Sequence, residues 1–158
     1  MIFQIRIILD SKKDVLRDIE ILANNTFEDL HKAIINCFDL RGNEMASFYL
    51  SDEKWKQNEE IILDSFFEDN SQMLMKETYL SSIVSESQKK FIYIYDFLNL
   101  WTFYIDIFEI KDQKKGAIYP KYIFSKGNLP DEAPKKTFIA DKNNDDFNDE
   151  ELNYNNFY

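Results

Sequence analysis

Residues Phe91–Ile110 read FIYIYDFLNLWTFYIDIFEI. Two runs of β-branched and aromatic residues flank a short polar interruption around Asp96 and Asn99. Successive side chains of a strand point to opposite faces. Large apolar groups therefore fall on both faces of both runs. Such a hairpin, with its turn near residues 98–100, belongs in the middle of a packed sheet. The stretch speaks of fold rather than chemistry.

The flanking sequence supplies the rest of an α+β fold. In residues 2–9, Phe3, Ile5, Ile7 and Leu9 form one apolar face, and Ile2, Gln4, Arg6 and Ile8 a mixed one. Residues 15–22 alternate again, with Val15, Ile19 and Ile21 opposite Asp18 and Glu20. The polar run Asp10–Asp14 joins them into an antiparallel hairpin with one half-solvated face. Thr26 is a helix N-cap, and Asp29, three residues on, completes a capping-box pattern. Phe27, Leu30, Ile34, Cys37 and Phe38 recur at helical spacing, so a helix is expected over 26–39. Residues 45–50, 60–63 and 118–124 are short strand candidates, the last an edge strand that tolerates Pro120. Residues 64–72 read as a loop, and Met75–Val84 as either a short strand or a helical turn. The expected architecture is a mainly antiparallel sheet with one principal helix across it, a ββα opening and a roll-like form. It occupies residues 1–135, and 136–158 form an acidic, flexible tail.

Charge and composition narrow the function. The chain of 158 residues carries a net charge of −10, with six acids and one base in residues 141–158. An acidic body repels phosphate backbones and anionic membranes, so direct nucleic-acid or membrane binding is not expected. Lys12-Lys13, Lys89-Lys90 and Lys135-Lys136 are isolated basic pairs. Three glycines leave no phosphate-cradling loop, and one cysteine, Cys37, permits neither an internal disulfide nor a cysteine-based zinc site. No cofactor or metal is expected. The first residues read as a strand rather than a leader, and no run approaches 18 apolar residues, so a cytoplasmic protein is expected.

Three motifs carry a family resemblance. Thr26-Phe27-Glu28-Asp29-Leu30-His31-Lys32-Ala33-Ile34 resembles the TFxxLHxAI helix of the plasmid pRiA4b ORF-3-like family. Tyr95-Asp96-Phe97-Leu98-Asn99-Leu100-Trp101 resembles its YDFGDxW hairpin. Tyr119-Pro120 with Leu129-Pro130-Asp131-Glu132 resembles its YP…PPED stretch. Leu98 and Asn99 replace the usual Gly and Asp, one proline of the third motif is missing, and Glu44-Met45 stands where a His-Leu pair is common. The resemblance implies an α+β roll, and a shared polar site that is incomplete in this chain. Some members' names link them to mobile elements, but these residues show no resolvase-like serine or tyrosine chemistry.

Few side chains suggest chemistry. His31, the only histidine, is the obvious base, and with Asp96 and Asn99 it makes a candidate polar cluster. The plainer reading is a helix histidine bonded to backbone or a nearby carboxylate. Asp96 and Asp106, carboxylates within apolar strands, suit acid/base work if burial raises one pKa; turn capping by Asp96 is the simpler role. Cys37 is expected to be a small buried hydrophobe. Trp101, Phe103, Tyr104 and Phe108 have the character of base-stacking residues but lack surrounding cations, so they read as core. The leading expectation is a non-enzymatic interaction module. An enzyme or small-molecule binder using His31 with Asp96 or Asn99 is the alternative, and a mobile-element accessory the third.

Overall fold

Alternation along Ile2–Leu9 (β1) and Leu16–Leu22 (β2) sets Phe3, Ile5, Ile7, Ile19 and Ile21 on one face, and in the computed structural model, which describes residues 1–65 and 71–135, all five are buried. Phe27–Phe38 forms a helix (α1) against that face. Thr26 caps it: its hydroxyl accepts from the Asp29 amide at 3.2 Å, and the Asp29 carboxylate accepts from the Thr26 amide at 2.8 Å. This satisfies two of the donors that a helix start leaves unpaired. The helix ends at Asp39, which adopts the left-handed conformation (φ 58°) that aspartate tolerates better than most residues.

The remaining strands are Ala46–Leu50 (β3), Glu60–Ile62 (β4), Met73–Leu74 (β5), Lys90–Tyr95 (β6), Trp101–Lys111 (β7) and Lys121–Lys126 (β8). They form one eight-stranded sheet in the order β5-β4-β3-β6-β7-β1-β2-β8. Among the described residues, only the β4–β5 pair is parallel. The Phe91–Ile110 hairpin lies at the centre of this order, as its apolar character requires. Met75–Glu77 is a 3-10 turn and Leu80–Ile83 a short helix (α2), which resolves the ambiguous stretch. β8 is an edge strand, but it begins after Pro120 rather than containing it, because proline has no N–H for the ladder.

An aromatic stack fills the space between helix and sheet. Phe27 meets Phe48 edge-on at 5.1 Å, Phe48 meets Tyr93 at 4.8 Å, and Phe38 meets Phe103 at 4.7 Å. Such pairs add about 0.5–1.5 kcal/mol each beyond the area they bury. The opposite face is less closed than two-sided apolar strands suggest. Ile92 and Ile94 are buried there, but Phe108 is 45% exposed. The difference has a local cause. Trp55, from the loop between β3 and β4, lies over β6 and β7, 4.9 Å from Tyr104, with the Lys90 ammonium 5.1 Å from its ring. Beyond it that face carries ion pairs, Arg6 with Asp18 at 2.8 Å and Lys111 with Glu20 at 2.9 Å. The acidic tail expected over 136–158 and part of the expected 64–72 loop lie outside the described residues.

Candidate functional site

The turn of the central hairpin is built by Asp96. The residue is 9% exposed and left-handed (φ 66°), so the chain leaves the β6 ladder at Tyr95 and turns back. One carboxylate oxygen accepts from the amides of Leu98 and Asn99 at 3.2 and 3.4 Å; the other accepts from the Asn99 side-chain amide at 2.6 Å. The Asp96 amide donates to the Met45 carbonyl at 2.8 Å. The turn is thereby tied to the loop between α1 and β3. Tyr95 adds a second tie, because its hydroxyl accepts from the Gly42 amide at 2.9 Å.

A cleft of about 700 Å³ opens where this turn, the end of α1 with the loop after it, and residues 128–131 meet. Four carboxylates line it (Asp39, Glu44, Asp96 and Asp131) with one guanidinium, Arg41. The amides of Asn43, Asn99 and Asn128 and the half-buried Trp101 complete its polar and aromatic walls. The described lining holds no Ser, Thr, Cys, Lys or His; the groups of nucleophile type that it does hold are its carboxylates and the Tyr95 hydroxyl. Among the described residues, no group of three or more His, Cys, Asp or Glu is arranged to hold a metal ion.

The structure brings together two of the three residues expected to cluster. Asp96 and Asn99 share a hydrogen bond at the cleft. His31 does not line it. The imidazole is buried between α1 and the sheet, where its Nδ1 shares a hydrogen bond of 2.7 Å with the Tyr93 hydroxyl. Burial is the main cause that lowers its pKa below 6.5, opposed by Glu28 and reinforced by Lys32.

Asp96 and Asp106 do not make a catalytic pair. Asp106 faces Lys90 in the register of β6 and β7, with the ammonium at 3.3 Å, whereas Asp96 follows the far end of the hairpin. The five residue steps from Trp101 to Asp106 span roughly 17 Å at ordinary strand rise. Cys37 is partly buried, and burial pushes its thiol up to about 12, away from nucleophilic use. Phe103 is fully buried and Trp101 and Tyr104 are half-buried, while the cation over Phe108, Arg6, is paired with Asp18.

Several cleft residues escape a reading of the sequence alone. Asp39, Arg41 and Glu44 belong to a connecting loop without a pattern of its own. Asp131 stands in the third motif, but nothing in the linear sequence places that motif against the second. Only the sheet order, which returns the chain from β8 past the hairpin turn, joins them.

No helix among the described residues is long and apolar enough to cross a membrane. A search of the curated proteins finds no match. Among solved structures the chain is similar to the protein of unknown function MM3350 from Methanosarcina mazei Go1. The TM-score is 0.71 at 24% identity, over 82% of this chain and 72% of that one, a likeness of fold. The family model of the plasmid pRiA4b ORF-3-like protein matches residues 1–138. All three motifs lie within that span, and two of them, Tyr95–Trp101 and Leu129–Asp131, meet at the cleft; the chain belongs to the plasmid pRiA4b ORF-3-like family.

Proposed function

We propose that this protein is a cytoplasmic, non-enzymatic interaction module whose cleft at the hairpin turn receives a basic side chain of a partner protein. The observation that carries the reading is the charge of the cleft, four carboxylates against one guanidinium. Lysine or arginine entering it gains charge-assisted hydrogen bonds, and Trp101 offers a ring face for a cation. Asp96 is held by its own turn, so it shapes the wall, while Glu44 and Asp131 supply charge from the facing loops. The lone histidine is engaged with Tyr93 outside the cleft, and that favours binding over acid/base chemistry.

Direct nucleic-acid binding is not part of this proposal. Lys89 is paired with Glu86 at 3.0 Å, and Lys90 with Asp106 at 3.3 Å, so the basic pair on the central hairpin is already neutralised. The test is a titration of the 15N-labelled protein with lysine- and arginine-containing peptides. Saturable shifts at residues 39–45, 96–101 and 128–131 that disappear in the Glu44→Gln/Asp131→Asn double variant are expected. Absence of shifts at millimolar peptide, or equal shifts in the double variant, overturns the reading.

A further inference from the structure

The outer edge of β8 is a second candidate surface, independent of the cleft. β8 is the last strand on its side of the sheet, and among the described residues no strand pairs with its outer edge. Its six residues are all exposed. Such an edge presents unpaired N–H and C=O groups, a template for another extended chain. Tyr122 and Phe124 are 48% and 49% exposed, and Ile118, just before the strand, is 84% exposed. The register with β2 places Tyr122 beside Ile19, on the helix side, and Phe124 beside Asp18, on the other. An added strand therefore finds an aromatic contact on each face of the sheet.

Charge selects the occupant. Residues 111–126 hold five lysines and one acid, in a chain whose net charge is −10. Lys111 and Lys126 are engaged by Glu20 and Asp14, but Lys114, Lys115 and Lys121 form no ion pair among the described residues. A second copy of the chain is disfavoured: antiparallel self-pairing about the middle of β8 sets Lys121 opposite Lys126 at both ends, and like charges directly opposite are destabilising. We infer that the outer edge of β8 accepts, as a ninth strand, an extended segment of another protein in which acidic residues alternate with apolar ones. Main-chain hydrogen bonds hold the segment; Tyr122, Phe124 and the free lysines choose it.

The experiment uses the full chain and a fluorescein-labelled ten-residue peptide alternating Glu with Val or Tyr. We expect saturable anisotropy, amide shifts confined to residues 118–127 and their β2 neighbours, and, read from the shifts at 118–127, at least tenfold weaker binding there of the same peptide with Lys in place of Glu. Lys121→Glu and Tyr122→Ala, both surface substitutions, are each expected to weaken binding at least threefold with unchanged circular dichroism. Equal shifts at residues 118–127 with both peptides, shifts from the acidic peptide centred on residues 96–101, or a concentration-dependent dimer that Lys121→Glu strengthens would each overturn the inference. A basic peptide reports on the cleft and an acidic one on this edge, so failure of either leaves the other standing.

Discussion

The imidazole of His31 and the phenol of Tyr93 meet at 2.7 Å inside the helix–sheet interface, one from α1 and one from β6. Both are buried, and burial drives the two pKa values apart, the histidine down and the tyrosine up. A pH dependence of stability follows. Because the native value lies below 6.5, the unfolded chain takes up the proton first as pH falls. Stability conferred by neutral His31 is full above about pH 6.5 and declines on acidification through the unfolded pKa toward the native one. Urea melts at pH 7.5 and 5 should show wild type losing more than His31→Gln, by up to about 1.4 kcal/mol per pH unit over that window. Parallel losses in the two proteins would contradict it. Tyr93→Phe, which leaves Nδ1 without its partner, should cost about 1–3 kcal/mol.

Phe103 and Phe108 stand on one strand with opposite fates, the first fully buried and the second 45% exposed. Phe103→Ala should cost about 3–5 kcal/mol in a denaturant melt. Phe108→Ala should cost about 1 kcal/mol or less, since the side chain loses little burial and only its contact with the Arg6 guanidinium, 5.7 Å from the ring centre. Equal costs would mean that the two faces of β7 are equally packed.

Gly127 follows β8 in a left-handed conformation (φ 76°), and a Cβ there would collide with the Asp14 carbonyl. The clash is with backbone, which cannot swing aside. Gly127→Ala should therefore destabilise by at least about 2 kcal/mol, more than the left-handed conformation alone explains. Hydrogen exchange should show the loss concentrated in β8 and the turn before β2. An unchanged melting temperature would rule the close approach out.

Cys37 gives the simplest measurement. With its thiol pushed up to about 12, the thiolate at pH 8 is about a ten-thousandth of the population. Reaction with iodoacetamide at pH 8 should be slow in the native protein and rapid in urea. Prompt native labelling would show that the thiol is neither desolvated nor raised.

Local signals made most of the fold legible. The capping pair Thr26 and Asp29 marked the start of α1 to within a residue, and alternation marked β1 and β2. Both depend on neighbours in sequence. The parallel β4–β5 pair was not legible, because a two-residue strand has no period to detect and its pairing is decided by distant chain. The cleft was half legible for the same reason. Asp96 and Asn99 are neighbours in one turn, so the sequence grouped them, whereas Asp39, Glu44 and Asp131 join them only through the sheet order. The partner of His31 was not legible either: a helical wheel puts the residue at the edge of the apolar stripe, and a single hydroxyl on β6, invisible to that pattern, makes its burial tolerable.

The order of the sheet has a consequence for how the protein is made. β1 lies between β2 and β7, with Ile7 opposite Ile105. On the ribosome, β1 and β2 emerge well before β7, so one edge of β1 waits unpaired until about a hundred further residues have been synthesised. At about 5–20 residues per second that wait lasts some seconds. Through that interval the apolar face of the first hairpin has α1 for cover but not the aromatic ring layer of β6 and β7. A nascent chain stalled before Trp101 is thus the form most exposed to misassociation, and the emergence of β7 is what commits β1 to its place.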